Sequence, residues 1–174
     1  MSADLDRRQE RTRQAIADAF AELLIERDYA EVTVAAVAER ANVGRSTFYE
    51  HFKTRTDLLR HAIKPLFAVI ATAVEPEGAS PALIAILHYF HDNPAWARVA
   101  ATDQTRSVLL KVLTQAVEGR VQSPAHLPPA MLASQIAAAQ FALLEPWIAG
   151  QSTLTPDTLA ESLCRTSRAL AEAG

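Results

Sequence analysis

Cysteine occurs once, at Cys164, so no disulfide can form within the chain and a reducing, cytoplasmic setting is the plain reading. Glycine occurs five times and aromatics make up 6% of residues, without the Val, Ile and Thr enrichment that sheets favour. Repeats and low-complexity tracts are absent. No apolar stretch opens the chain: Met1 to Gln14 is polar, which predicts no secretory leader. Catalytic signatures are missing as well. Ser80, Ser107, Ser134 and Ser162 sit in no glycine elbow, no Gly-rich loop could cradle a phosphate, and no carboxylate pair stands out on an apolar face. His88 and His91 lie at i, i+3 with Asp92 adjacent, but two ligands do not make a metal site. The expectation is a protein that is not an enzyme and uses no cofactor.

What the chain does have is apolar residues, 49% of 174, rich in Ala and Leu. That length suits one compact unit, or a small module sharing its core with a larger one. The net charge of −3 hides an asymmetry. Residues 1–64 carry 11 Lys and Arg against 11 Asp and Glu, whereas residues 65–174 carry 6 against 9. Positive charge is thus denser in the first part. It gathers in two clusters, Arg7, Arg8, Arg11 and Arg13, then Arg45, Lys53 and Arg55. Such clusters suit nucleic acid, although solvated helix faces look the same.

Periodicity predicts helices throughout. Ile16, Phe20, Leu23 and Leu24 share one face of a helix over about 7–27. Thr33 caps a short helix through Arg40; Ala41-Asn42-Val43 makes a turn; a third helix covers about 44–51. Thr54 and Asp57 have capping-box spacing and open a fourth, which Pro65 would bend. Ser80-Pro81, Asn93-Pro94 and Thr155-Pro156 each read as an N-cap followed by Pro at the first helical position, and start helices near 81–91, 94–101 and 156–172. A helix near 104–118 should stop at Gly119. The helix over about 129–149 is apolar nearly all round, but Gln135, Gln140, Glu145 and Pro146 argue against a membrane span. It suits burial on one side in its own domain and on the other against a second subunit, with Leu159, Leu163 and Leu170 of the last helix alongside. Completion of a monomeric core by both helices is the alternative.

Residues 33–53, TVAAVAERANVGRSTFYEHFK, have helix-turn-helix spacing. Val34, Val37, Ala38, Val43 and Phe48 would form its small core. That leaves Arg45, Ser46, Thr47, Tyr49, His51 and Lys53 as donors on or just past a short second helix, with Glu50 the one acid.

These residues resemble the tetracycline-repressor (TetR/AcrR) family of regulators. The resemblance covers about Arg11 to Leu59 and is densest at Thr33-Val34 with Ala38, at Gly44 through Lys53, and at Asp57-Leu58-Leu59. It implies an all-α fold of about nine helices: an N-terminal three-helix DNA-binding domain (1–53) joined to a helical effector-binding and dimerisation domain (54–174). It also implies residue roles. Gly44, Arg45 and Ser46 start the recognition helix at the major-groove floor, with Arg45 suited to guanine O6 and N7. Thr33, Thr47, Tyr49, His51 and Lys53 would hold phosphates. His51 could instead pack the start of the fourth helix, and Tyr49 could pack its ring while offering its hydroxyl outward. Arg7, Arg8 and Arg11 would form either an arm reaching the DNA backbone or a solvated stretch.

The implied function is a ligand-released repressor that binds a palindromic operator in double-stranded DNA as a homodimer, pairing through about 129–149 and 156–172. Repression rather than activation is the family's usual mode. Its effector pocket would be lined by aromatic or polar residues within apolar helices: Phe67, His88, Phe90, Trp96, Gln104, Gln140, Phe141 and Trp147. Each also reads as ordinary packing. That mostly apolar set favours a hydrophobic effector. Cys164 reads as a buried interface thiol rather than an oxidant sensor. A helical adaptor without DNA binding is the remaining class, and Arg45, Tyr49 and Lys53 speak against it.

Overall fold

The computed structural model describes residues 2–100, 103–121 and 127–173; of residues 2–6, 98, 100, 103 and 104 only the backbone is described. Among the described residues there are nine α-helices, one 3-10 turn and no strand. Two compact units divide within the fourth helix, at Met1–Ala62 and Ile63–Gly174. No helix among the described residues is long and apolar enough to cross a membrane.

In the first unit, helix α1 (Ser2–Glu26) starts earlier than its periodic face suggests and buries Ile16, Phe20, Leu23 and Leu24. Helix α2 (Val34–Arg40) begins because the Thr33 hydroxyl accepts the Ala36 N–H at 3.2 Å, satisfying a donor that the first turn leaves without a partner. It ends where Asn42 takes a left-handed φ of 52°, which lets the Val43 N–H reach the Ala38 carbonyl at 2.9 Å. Helix α3 (Arg45–His51) follows at once, and α4 (Arg55–Ile70) is capped by Thr54, whose hydroxyl accepts the Asp57 N–H. Val37, Ala38, Phe48 and Phe52 are buried where these helices meet, while Val34 and Val43 are half-buried.

The second unit begins in α4 and continues through a 3-10 turn (Ala71–Val74). It then comprises α5 (Pro81–Asp92), α6 (Ala95–Ala100), α7 (Asp103–Glu118), α8 (Pro129–Ile148) and α9 (Pro156–Ala173). Helix α8 is its centre, packed by α7 on one side and α9 on another, with α5 against α9. Ser80 and Thr155 cap α5 and α9 by accepting the N–H groups of Leu83 and Thr158. Asn93 behaves differently from the expectation. Its side chain donates back to the Tyr89 carbonyl at 2.8 Å, closing α5 rather than opening α6, and Pro94 stays outside the helix. Helix α7 does end before Gly119, but the left-handed stop lies elsewhere. Gly150 (φ 72°) follows α8, where the Gly150 N–H bonds to the Trp147 carbonyl and the Gln151 N–H to that of Pro146, the paired bonds of a Schellman motif.

Candidate nucleic-acid interface and apolar cavity

The loop that leads into α2 is held by one side chain. Arg55, at the start of α4, donates from Nη1 to the carbonyls of Tyr29 (2.9 Å), Ala30 (3.1 Å) and Val32 (2.7 Å). Its guanidinium lies 4.3 Å from the centre of the Tyr29 ring, which in turn meets Phe20 edge-on. Arg40, though exposed, is taken up by partners within the unit, tying α2 to α1 through Glu26 (2.8 Å) and Glu22 (3.2 Å). The hydrogen bond from Arg40 holds the Glu26 carboxyl below the usual carboxylate range. Arg13 lies over the Phe52 ring at 5.3 Å, with Nη2 3.5 Å from His61 Nδ1.

The outer side of α3 is populated differently. Phe48 is wholly buried and Phe52 nearly so, their rings 6.0 Å apart, which fixes the helix rotation. Gly44, Arg45, Ser46, Tyr49, Glu50 and Lys53 are then exposed, and Thr47 and His51 half-buried. Tyr49 is 57% exposed, resting only an edge contact on Phe48. Among the described residues no carboxylate pairs with Arg45 or Lys53. Gly44 has an ordinary φ of −70°, and a Cβ there would make only normal contacts with Ser46 and Thr47. Nothing inside the unit therefore requires glycine at this position.

In the second unit, Phe67, Phe90, Trp96 and Phe141 converge with Leu109 and Leu144 on an apolar cavity of about 20 Å³, roughly the room for one water. Trp96 packs edge-on against Phe90 and Tyr89. Glu145 joins the wall, and its carboxylate is held by Arg106 through two bonds of 2.8 and 3.1 Å.

Comparison with known proteins gives this arrangement its relatives. Residues 16–62 match the family model of bacterial regulatory proteins, tetR family. Over this segment the chain is similar to regulators of the TetR family. A curated relative, the HTH-type transcriptional regulator YxbF of Bacillus subtilis, is 39% identical over 61 residues, covering 34% of this chain and 16% of that protein. The match thus spans about a sixth of the relative's length. Over nearly the whole chain, the fold is that of a TetR transcriptional regulator from Streptococcus agalactiae (24% identity, 96% of this chain and 99% of that one, TM-score 0.61). It is also that of a TetR-family regulator from Streptomyces coelicolor (20% identity, 94% and 96%, TM-score 0.68). The relatives named are regulators, none an enzyme.

Within this chain, the residues singled out from sequence fall into groups. Gly44, Arg45, Ser46, Tyr49 and Lys53 share the exposed side of α3 and its end, with Thr47 and His51 partly covered and Thr33 exposed at the start of α2. Arg7, Arg8 and Arg11 are exposed on α1, in a helix rather than an extended arm. Of the effector candidates, Phe67, Phe90, Trp96 and Phe141 meet at the cavity. The others go elsewhere. His88 is exposed with Nε2 3.3 Å from Asp157, and Trp147 donates to the Leu154 carbonyl while stacking on His91. Gln140 is buried and donates to Ser167 at 2.9 Å, leaving its Oε1 without a partner; the side chain of Gln104 lies outside the described residues. Among the described residues, no three His, Cys, Asp or Glu side chains gather as metal ligands do. Sequence reasoning missed Arg106 and Glu145 at the cavity and the inward role of Arg55, none of which has a periodic signature.

Proposed function

We propose that this protein is a cytoplasmic transcriptional repressor that binds a palindromic operator as a homodimer and releases it when a hydrophobic effector binds. The observation that carries the reading is the division of charge in the first unit. Arg40 and Arg55 are engaged within the fold, while Arg45 and Lys53 are presented outward on a helix whose rotation Phe48 and Phe52 fix. Arg45 then reads a guanine edge, with Gly44 and Ser46 allowing close approach to the groove floor. Thr33, Thr47, Tyr49, His51 and Lys53 hold phosphates and set the register. The bare Gly44, which the fold does not need, supports such an approach.

Pairing of two copies uses α8 and α9. Along α8, Met131 (54% exposed), Gln135, Ala138 and Ala142 form an outward stripe of helical spacing, opposite the residues that face its own core. The effector binds at the cavity lined by Phe67, Phe90, Trp96 and Phe141, whose hydrophobic wall supports an apolar ligand.

Selection of bound sequences from random double-stranded DNA by the purified full chain tests the reading. The expected result is an inverted repeat whose affinity falls steeply with salt. Enrichment of unpaired single sites would remove the dimer, and no enrichment would remove operator binding altogether.

A further inference from the structure

Among the described residues, Glu145 is the one charged residue in the wall of the cavity. Its carboxylate does not serve the interior. Both oxygens accept from Arg106, Oε1 from Nε at 2.8 Å and Oε2 from Nη2 at 3.1 Å, bridging α8 to α7. The same guanidinium lies 5.7 Å from the centre of the Phe141 ring, another wall residue. The Glu145 charge is therefore matched by a bidentate pair, and the other described lining residues are aromatic or aliphatic.

Resting on the reading of this cavity as the effector site, we infer that the Arg106–Glu145 pair sets the charge class of the effector: the site takes an uncharged aromatic or hydrocarbon molecule and rejects carboxylates and amines of the same shape. A carboxylate would need Arg106, whose Nε and Nη2 already donate to Glu145. An ammonium would need Glu145, whose two oxygens are committed to Arg106. Either ligand would have to compete with a bidentate partner already in place and bring its own charge against an apolar wall, while the half-exposed Arg106 and Glu145 keep solvent on their outer side. A neutral ring disturbs neither group.

Toluene, benzoate and benzylammonium share a shape and differ in charge. Titrating each into the DNA-free full chain, followed by saturation-transfer NMR, should give binding of toluene and at least about tenfold weaker binding of the two ions. Leu109→Phe, which fills the cavity, should abolish toluene binding. Glu145→Gln removes the carboxylate that faces Arg106 and should admit benzoate but not benzylammonium; Arg106→Met removes the cation that faces Glu145 and should admit benzylammonium but not benzoate. The exchanged pair Arg106→Glu with Glu145→Arg should restore the preference for toluene, which a merely unstable variant would not. Toluene binding with unchanged preferences in the variants, or benzoate bound by the unaltered protein as well as toluene, overturns the inference while leaving the cavity as the effector site. Failure of all three probes to bind overturns both.

Discussion

Arginines in the first unit do two kinds of work, and their partners distinguish them. Arg45 is exposed without an internal carboxylate, so its substitution should be felt by DNA and not by the fold. Arg45→Ala is expected to cost about 1–3 kcal/mol of operator binding and to relax preference at one base step, whereas Lys53→Ala should weaken all sequences alike and flatten the salt dependence. Gel-shift titrations over a set of single-base operator variants check both. Arg55 is the opposite case. Its Nη1 gathers three loop carbonyls and its plane covers Tyr29, an arrangement that a lysine ammonium cannot reproduce. Arg55→Lys should destabilise the first unit by about 1–3 kcal/mol, read by far-UV circular dichroism in urea because both tryptophans, Trp96 and Trp147, lie in the second unit. The helix-turn-helix spacing singled out Arg45, but it gave Arg55 no role beyond membership of the same basic cluster. The partners of Arg55 lie 23 to 26 residues away and are backbone oxygens, which no spacing rule reveals.

Helix boundaries were far more legible, because they are set by residues within one turn. Thr33, Thr54, Ser80 and Thr155 each accept an N–H three residues on, as their local patterns predict. Asn93 departs from the same pattern because its amide can donate as well as accept, and it donates to the Tyr89 carbonyl in the last turn of α5. The cap of α4 has a pH signature. The Thr54 hydroxyl, ahead of the Arg60 guanidinium, holds the Asp57 carboxyl below the usual carboxylate range. Folding therefore favours the ionised form. Its stabilisation is complete above the ordinary aspartate pKa and is lost as pH falls through that value toward the depressed one. Urea midpoints measured across that acid range should fall less steeply for Asp57→Asn than for the unaltered chain.

For the molecule as a whole, the all-helical architecture and the order of its helices followed from composition and period, since both are summed over many residues. The cavity followed only in part. An aromatic residue in an apolar helix announces burial but not the neighbour it will face. Phe67, Phe90, Trp96 and Phe141 converge, whereas Trp147 turns to the loop after α8 and Gln140 to α9. Cys164 offers a probe of the second unit's integrity. It is almost wholly enclosed on α9, and burial pushes its thiol pKa up, so little reactive thiolate is present at neutral pH. Labelling by a thiol reagent should be slow in the native protein, rise as urea unfolds the second unit, and follow the same midpoint as tryptophan fluorescence. Rapid labelling without denaturant would contradict this packing.

The smallness of the cavity has a kinetic meaning. A space of about 20 Å³ holds no ring, so a ring-sized ligand of the kind proposed could enter between Trp96, Phe90 and Phe141 only when those side chains part. If admission requires that opening, the observed association rate will rise with ligand at first and then level off at the opening rate itself, with Trp96 as its own reporter. How quickly such a regulator answers a sudden dose would then be set by how often its own interior loosens, and no longer by how much of the compound surrounds it.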